Sequence, residues 1–74
     1  MKSPSNAEIT VTLNGKSRST RNGIHVSELL EELDLRERLV VVERNGEIVK
    51  RDAYAGTLLE DGDVLEIVHF VGGG

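Results

Sequence analysis

Two Asn-Gly steps, Asn14-Gly15 and Asn45-Gly46, restrict the fold of this chain more than any other feature of its sequence. Asn-Gly is the strongest short signal for a two-residue hairpin, because both residues tolerate the positive φ that a type I′ turn requires. Each step is flanked by segments that can form strands. The sequence therefore predicts two β-hairpins.

The segments around both turns have strand patterns. Apolar and polar residues alternate over 8–13, as in a half-buried strand, and 16–20 is a polar return suited to a sheet edge. The run 39–44 is rich in β-branched residues, and 47–49 can form a short return strand. A last strand is predicted over 64–71, after the turn residues Asp61-Gly62-Asp63.

One amphipathic helix is predicted between the hairpins. Val26, Leu29, Leu30 and Leu33 follow the i, i+3, i+4, i+7 spacing and form a single apolar stripe. His25 is expected at or just before the helix start, as a weak cap or surface residue. We predict no catalytic role for it, because no titratable partner has a suggestive spacing.

The order of these elements is typical of an α+β β-grasp (ubiquitin-like) fold, with a mixed sheet of four to five strands and one main helix on one face. Residues 51–57 are expected to form an irregular crossing segment, followed by Leu58 and Leu59 closing one end of the core. The predicted organisation is a flexible leader over 1–7, the domain over 8–71 and a flexible Gly-Gly-Gly tail over 72–74.

Composition excludes several classes of function. The chain has 74 residues, enough for one small domain, and no cysteine for a disulfide, a thiol or a Cys-based metal site. Its net charge of −4 argues against nucleic-acid binding, and it has no apolar run long enough to span a membrane. We expect a cytoplasmic protein that is a monomer when alone, with no stably bound cofactor.

An apolar patch is predicted on the sheet face opposite the helix. If Ile67 and His69 point towards the helix, then Val68 and Phe70 point away from it. Val41 of the neighbouring strand is expected on the same outer face. Clustered exposed apolar side chains favour a docking surface for a partner protein.

The printed sequence closes with Val71-Gly72-Gly73-Gly74, which follows the last predicted strand without a polar spacer. Three glycines have no side chains to bury, so the run is either a frayed end or linker, or a functional tail. As a functional tail, it is the slimmest peptide that can enter a narrow channel. A terminal carboxylate there would need activation as an acyl phosphate or acyl adenylate. The chain has no P-loop or basic cluster to hold ATP, so a partner would have to perform this step. Attack by sulfur would then give a thiocarboxylate, and attack by a lysine amine an isopeptide.

Over residues 9–74 the sequence resembles the ThiS family of thiamine-biosynthesis sulfur carrier proteins. The resemblance is carried by the ordered motifs Leu13-Asn14-Gly15, Leu29-Leu30, residues 41–49, Tyr54, Leu59, residues 62–68 and the Phe-Val-Gly-Gly-Gly ending. The departures are Lys50, where many relatives have proline, His25, where many have threonine or serine, and a longer leader. None of them lies in the tail.

The resemblance implies a carrier rather than an enzyme. The Gly74 carboxylate would be adenylated by a ThiF-like enzyme that uses ATP, and the resulting thiocarboxylate would donate sulfur to thiazole synthase. Gly72 and Gly73 would thread the tail into these enzymes. Val41, Val68, Phe70 and Val71 would contact the partners.

Three other functions are compatible with the sequence. The small subunit of molybdopterin synthase shares the chemistry and a Gly-Gly ending, although residues 45–48 and the Val-Gly-Gly-Gly ending look more like the thiamine type. A ubiquitin-like modifier would form isopeptide-linked adducts on target lysines. A plain binding module would use the sheet face alone and would tolerate deletion of Gly73 and Gly74.

Overall fold

The computed structural model of the chain describes residues 7–70, which form a five-stranded sheet covered on one face by a short helix. The predicted β-grasp architecture is confirmed. The elements in chain order are β1 (Glu8–Leu13), β2 (Lys16–Arg21), α1 (Val26–Glu32), a 3-10 helix (Glu37–Leu39), β3 (Val40–Arg44), β4 (Glu47–Val49), a second 3-10 helix (Arg51–Gly56) and β5 (Val64–His69).

Both predicted hairpins are present, and their turns have the expected backbone. Asn14 and Gly15 have φ values of 50° and 84°, and Asn45 and Gly46 have 53° and 86°. Two successive residues with positive φ define a type I′ turn, whose twist matches that of the strands it joins. The Asn-Gly steps therefore fix the register of β1 with β2 and of β3 with β4.

The last strand occupies the middle of the sheet, whose order is β2-β1-β5-β3-β4. β5 runs parallel to β1, with Leu13 opposite Leu65, and antiparallel to β3, with Val41 opposite Val68. The two hairpins do not pair with each other, because β5 lies between them. β5 is therefore the central strand of the sheet.

The core lies between the sheet and α1. Its buried apolar residues are Ile9, Val11, Ile24, Val26, Leu29, Leu30, Val40, Val42, Tyr54, Leu59, Leu65 and Ile67. Alternate residues of β1, β3 and β5 contribute to this set, as the period of two predicts. The predicted apolar stripe of the helix supplies three fully buried residues, and Leu33 packs against their edge.

The structure corrects two predictions about the segment between β4 and β5. Residues 51–57 are not irregular for most of their length, since Arg51–Gly56 forms a 3-10 helix that buries Tyr54. The prediction that Leu58 closes the core together with Leu59 is wrong for Leu58, which is exposed. The two leucines are adjacent in an extended segment, so their side chains point in opposite directions, and only one of them can reach the core.

The end of β5 also differs from the prediction. His69 lies opposite the buried Val40 and so on the helix-facing side, as predicted, but its side chain is exposed rather than part of the core. α1 has only seven residues. β5 ends at His69, and Val71 lies outside the described residues. Within residues 7–70, no helix combines the length and apolar character needed to cross a membrane.

Candidate functional site

The outer face of the sheet carries an apolar patch made of Val41, Val68 and Phe70. Val68 and Phe70 are 56% and 51% exposed, although both are large apolar residues. Val41 lies directly across from Val68 in the β3–β5 ladder and is half-buried. The structure thus brings together three of the residues predicted to contact a partner, at the end of the strand that leads to the tail.

A pair of glutamates borders this apolar patch. Glu43 of β3 lies directly opposite Glu66 of β5, one step along the same face from the Val41–Val68 pair. Like charges directly opposite each other on neighbouring strands destabilise a sheet, by roughly 0.2–1 kcal/mol on the scale of cross-strand pairs. The outer face therefore combines an apolar surface with negative charge. The repulsion between the two glutamates slightly destabilises the isolated domain.

Hydrogen bonds on both sides hold the end of β5 that leads to the tail. On the β3 side, the Phe70 N–H donates to the Leu39 carbonyl over 2.7 Å. On the β1 side, the Asn14 side chain makes two bonds to Ile67: its Oδ1 accepts the Ile67 N–H at 2.8 Å, and its Nδ2 donates to the Ile67 carbonyl at 3.2 Å. The two bonds between Asn14 and Ile67 were not predicted, because the sequence indicates only a turn at Asn14.

A second set of polar contacts holds the beginning of β5. Asp63 is buried, and its carboxylate accepts hydrogen bonds from Arg44 Nε at 2.8 Å, Asn45 Nδ2 at 3.0 Å and the Glu60 N–H at 2.9 Å. Asn45 Oδ1 also accepts the Val64 N–H at 2.9 Å. Burial alone would raise the pKa of Asp63, but the hydrogen bonds from Asn45, Glu60 and Arg44 outweigh it and lower that pKa.

The start of α1 is fixed by Glu28, so the expectation that His25 has no titratable partner at a suggestive spacing is wrong. The Glu28 carboxylate accepts the His25 N–H at 2.8 Å and lies 3.1 Å from His25 Nδ1, and it pairs with Arg21 at 2.9 Å. The bond from the His25 N–H, followed by those from the His25 ring and Arg21, lowers the pKa of Glu28 to about 2. The spacing of three residues is that of a helix cap. The histidine therefore has a structural role here.

The remaining predicted site residues, Val71, Gly72, Gly73 and Gly74, lie outside the described residues. Their roles stay predictions. Among residues 7–70, no three His, Asp or Glu side chains are grouped so that they could hold a metal ion. What the described part of the site offers is an exposed apolar surface shortly before the glycine run in the sequence.

These features define a class of protein, the small β-grasp domains of the ubiquitin-like type. Comparison with solved structures identifies a more specific match within this class. A crystal structure of the thiamine biosynthesis protein ThiS from Geobacter metallireducens superimposes with a TM-score of 0.76 at 38% identity, over 89% of this chain and 100% of that one. The predicted fold class is therefore confirmed by a solved structure as well as by the topology.

Sequence comparisons agree with the structural match. A sequence model of the ThiS family matches residues 11–74. The sulfur carrier protein ThiS of Bacillus subtilis is 49% identical over 49 residues, which are 66% of this chain and 74% of that protein. A thiazole synthase of Paramagnetospirillum magneticum is 47% identical over 64 residues, 86% of this chain but 20% of that protein.

The chain belongs to the ThiS family. The predicted membership is thereby confirmed, and the family is one of small sulfur carriers rather than enzymes. The chain spans about a fifth of the length of two thiazole synthases that it matches, the second being that of Magnetococcus marinus at 38% identity.

Proposed function

We propose that this protein carries sulfur for the thiazole ring of thiamine, with the Gly74 carboxylate as the carrying group. The observation that supports this most is the ThiS family match, which extends through Gly74 and includes the whole glycine run. A relative that is 49% identical is named a sulfur carrier protein. The apolar patch at the end of β5 is a suitable surface for the enzymes that would handle such a tail.

The chemistry begins with activation, because a carboxylate has no leaving group. A ThiF-like partner would transfer AMP from ATP to Gly74, releasing pyrophosphate and forming an acyl adenylate. Attack by hydrosulfide on the carbonyl carbon would then expel AMP and leave a thiocarboxylate, with no net oxidation or reduction. In this scheme ATP is a substrate of the partner, and this chain needs no cofactor of its own.

Thiazole synthase is the proposed acceptor of the sulfur. A segment similar to most of this chain occurs within the thiazole synthase of Paramagnetospirillum magneticum, where it forms a fifth of the polypeptide. A carrier segment and a synthase in one chain are held at high effective concentration, which suits partners that must meet repeatedly. We propose that this chain contacts thiazole synthase through Val41, Val68, Phe70 and Val71.

The tail has a mechanical role in this proposal. Gly72 and Gly73 would enter the partner's channel in an extended form, since glycine has no side chain to exclude them from a narrow passage. The protein would act in the cytoplasm as a monomer that binds one partner at a time.

Intact-mass spectrometry tests the proposal directly. Incubation with a ThiF-like enzyme, ATP and sulfide should add about 16 mass units, the difference between sulfur and oxygen in the activated acyl group. A variant lacking Gly73 and Gly74 should keep its circular dichroism spectrum, because the buried core lies within residues 9–67, and should show no mass change. A variant with one residue added after Gly74 is the matched control, since it keeps all three glycines but displaces the carboxylate.

The alternatives give different outcomes. Stable adducts on target lysines, with no thiocarboxylate, would indicate a protein modifier. Copurification with a large molybdopterin synthase subunit rather than thiazole synthase would reassign the pathway. If the variant lacking Gly73 and Gly74 supported its partners fully, the protein would be a plain binding module that does not use the tail.

A further inference from the structure

The side chain of Asn14 occupies a place in the sheet that a main-chain segment would otherwise fill. On the β1 side of β5, the Thr12 N–H donates to Asp63 and the Asn14 N–H to Leu65, both at 2.9 Å. Continuing in steps of two residues, the next donor to β5 would be the main chain of Lys16, bonded to the Ile67 carbonyl. The chain cannot supply it there, because it turns away at Asn14 with a φ of 50°.

The Asn14 amide replaces the missing bonds. Its Nδ2 donates to the Ile67 carbonyl, where the next main-chain N–H would have been, and its Oδ1 accepts the Ile67 N–H, which a main-chain carbonyl would have accepted. A side-chain amide has the same donor and acceptor groups as a peptide unit. The parallel ladder is thus extended by one step, although the strand that forms it has ended.

This extension acts on the part of β5 that carries the apolar patch. Val68 and Phe70 follow Ile67 by one and three residues. Without the Asn14 bonds, only hydrogen bonds on the β3 side, such as that from the Phe70 N–H to Leu39, would hold this part of the chain. A β-strand bonded along one edge opens more readily than one bonded along both, since fewer hydrogen bonds must break. The position of these two side chains therefore depends on the Asn14 amide.

We propose that Asn14 is a positioning residue, whose side chain holds the end of β5 so that the apolar patch is presented to the activating enzyme in one fixed arrangement. The inference rests on the proposed sulfur-carrier function. Any side chain that tolerates the turn could occupy position 14. An amide is the group that can also continue the ladder.

The other Asn-Gly turn provides a matched control. Asn45 has nearly the same backbone conformation as Asn14. Its side chain bonds to Val64, the first residue of β5, and to Asp63, which precedes it. Replacing either asparagine by glycine keeps the turn, because glycine accepts a positive φ without strain. Asn14→Gly and Asn45→Gly thus remove equivalent amide side chains, one that bonds to the end of β5 and one that bonds to its beginning.

Hydrogen exchange and enzyme kinetics together test the proposal. In Asn14→Gly, protection of the Ile67 amide should fall on the order of tenfold relative to Leu65, the effect of losing the two hydrogen bonds between Asn14 and Ile67. The KM for this chain in thiocarboxylate formation should rise about fivefold, with kcat unchanged, because the bound arrangement must first be restored. Asn45→Gly should destabilise the fold without this change in KM.

The outcomes separate this inference from the function on which it rests. If the wild-type chain forms no thiocarboxylate, the proposed function fails and the inference fails with it. If the wild-type chain is active and Asn14→Gly matches it in KM, the inference alone is overturned. Equal rises in KM for both variants, or a uniform loss of protection along β5, would also overturn it, since either would show an effect of overall stability.

Discussion

The replacement Phe70→Glu should separate the stability of the free domain from its binding to partners. Phe70 is 51% exposed, so roughly half of its side chain contacts the rest of the domain. Complete burial of a phenylalanine contributes about 1.5–3 kcal/mol, and half of that burial about 1 kcal/mol. The free energy of unfolding should therefore fall by about 1 kcal/mol, a loss that the fold can tolerate.

The effect on binding should be larger. Aromatic residues at the centre of an interface commonly contribute about 2 kcal/mol or more, which corresponds to a roughly 30-fold weaker Kd. The negative charge introduced at position 70 should add to this loss wherever the partner surface is apolar. Titration calorimetry with thiazole synthase, and the KM for the activating enzyme, measure this effect, while urea unfolding followed by circular dichroism measures stability.

Two control variants make the result specific to the outer face. Leu58→Glu changes an apolar side chain of similar exposure, 46%, that lies outside the apolar patch; it should have a similar stability cost and no effect on binding. Ile67→Glu buries a charge in the core and should cost more than about 4 kcal/mol. The reasoning is refuted if Phe70→Glu destabilises the domain as strongly as Ile67→Glu, or if it leaves partner binding at the level of Leu58→Glu.

Three further predictions concern charged residues. Asp63→Ala should lower the free energy of unfolding by about 3 kcal/mol in urea titrations, because it leaves the partly buried Arg44 without its partner. The fold lowers the pKa of Glu28 from 4.5 to about 2 and also lowers the pKa of Asp63. The stabilisation from these two carboxylates is therefore complete above about pH 4.5 and is lost as the pH falls towards 2. Urea midpoints measured from pH 7 to pH 2 should decline in that window, and the decline should be less steep for Glu28→Gln. Glu43→Gln should raise stability by roughly 0.2–1 kcal/mol by removing the repulsion from Glu66, and calorimetry should show weaker binding if the partner supplies a basic group there.

Local patterns in the sequence were sufficient for much of this structure. The Asn-Gly steps specify type I′ turns through backbone sterics alone, and the alternation along β5 places Ile67 inside and Val68 outside. The apolar patch was predictable for the same reason. A period of two leaves no other place for Phe70 once the helix-facing residues are assigned.

What the sequence did not reveal depends on contacts between distant segments. The bonds from Asn14 to Ile67 join residues that are 53 positions apart, and they exist because β5 enters the sheet beside the first hairpin. His69 is exposed although it lies opposite the buried Val40, and a period of two alone does not distinguish these two positions. Leu58 and Leu59 are equally apolar, and only the path of the chain after Tyr54 decides which of them is buried.

The central position of the last strand has a consequence for how the protein is made. On a ribosome, the two hairpins emerge before β5, and with the sheet order β2-β1-β5-β3-β4 they have no edge to share until it arrives. Such distant pairings form late and slowly. A chain truncated before Val64 would lack the strand that joins its halves. We expect that the domain completes its sheet only after β5 has been translated, so that the glycines that follow it in the sequence join a completed domain.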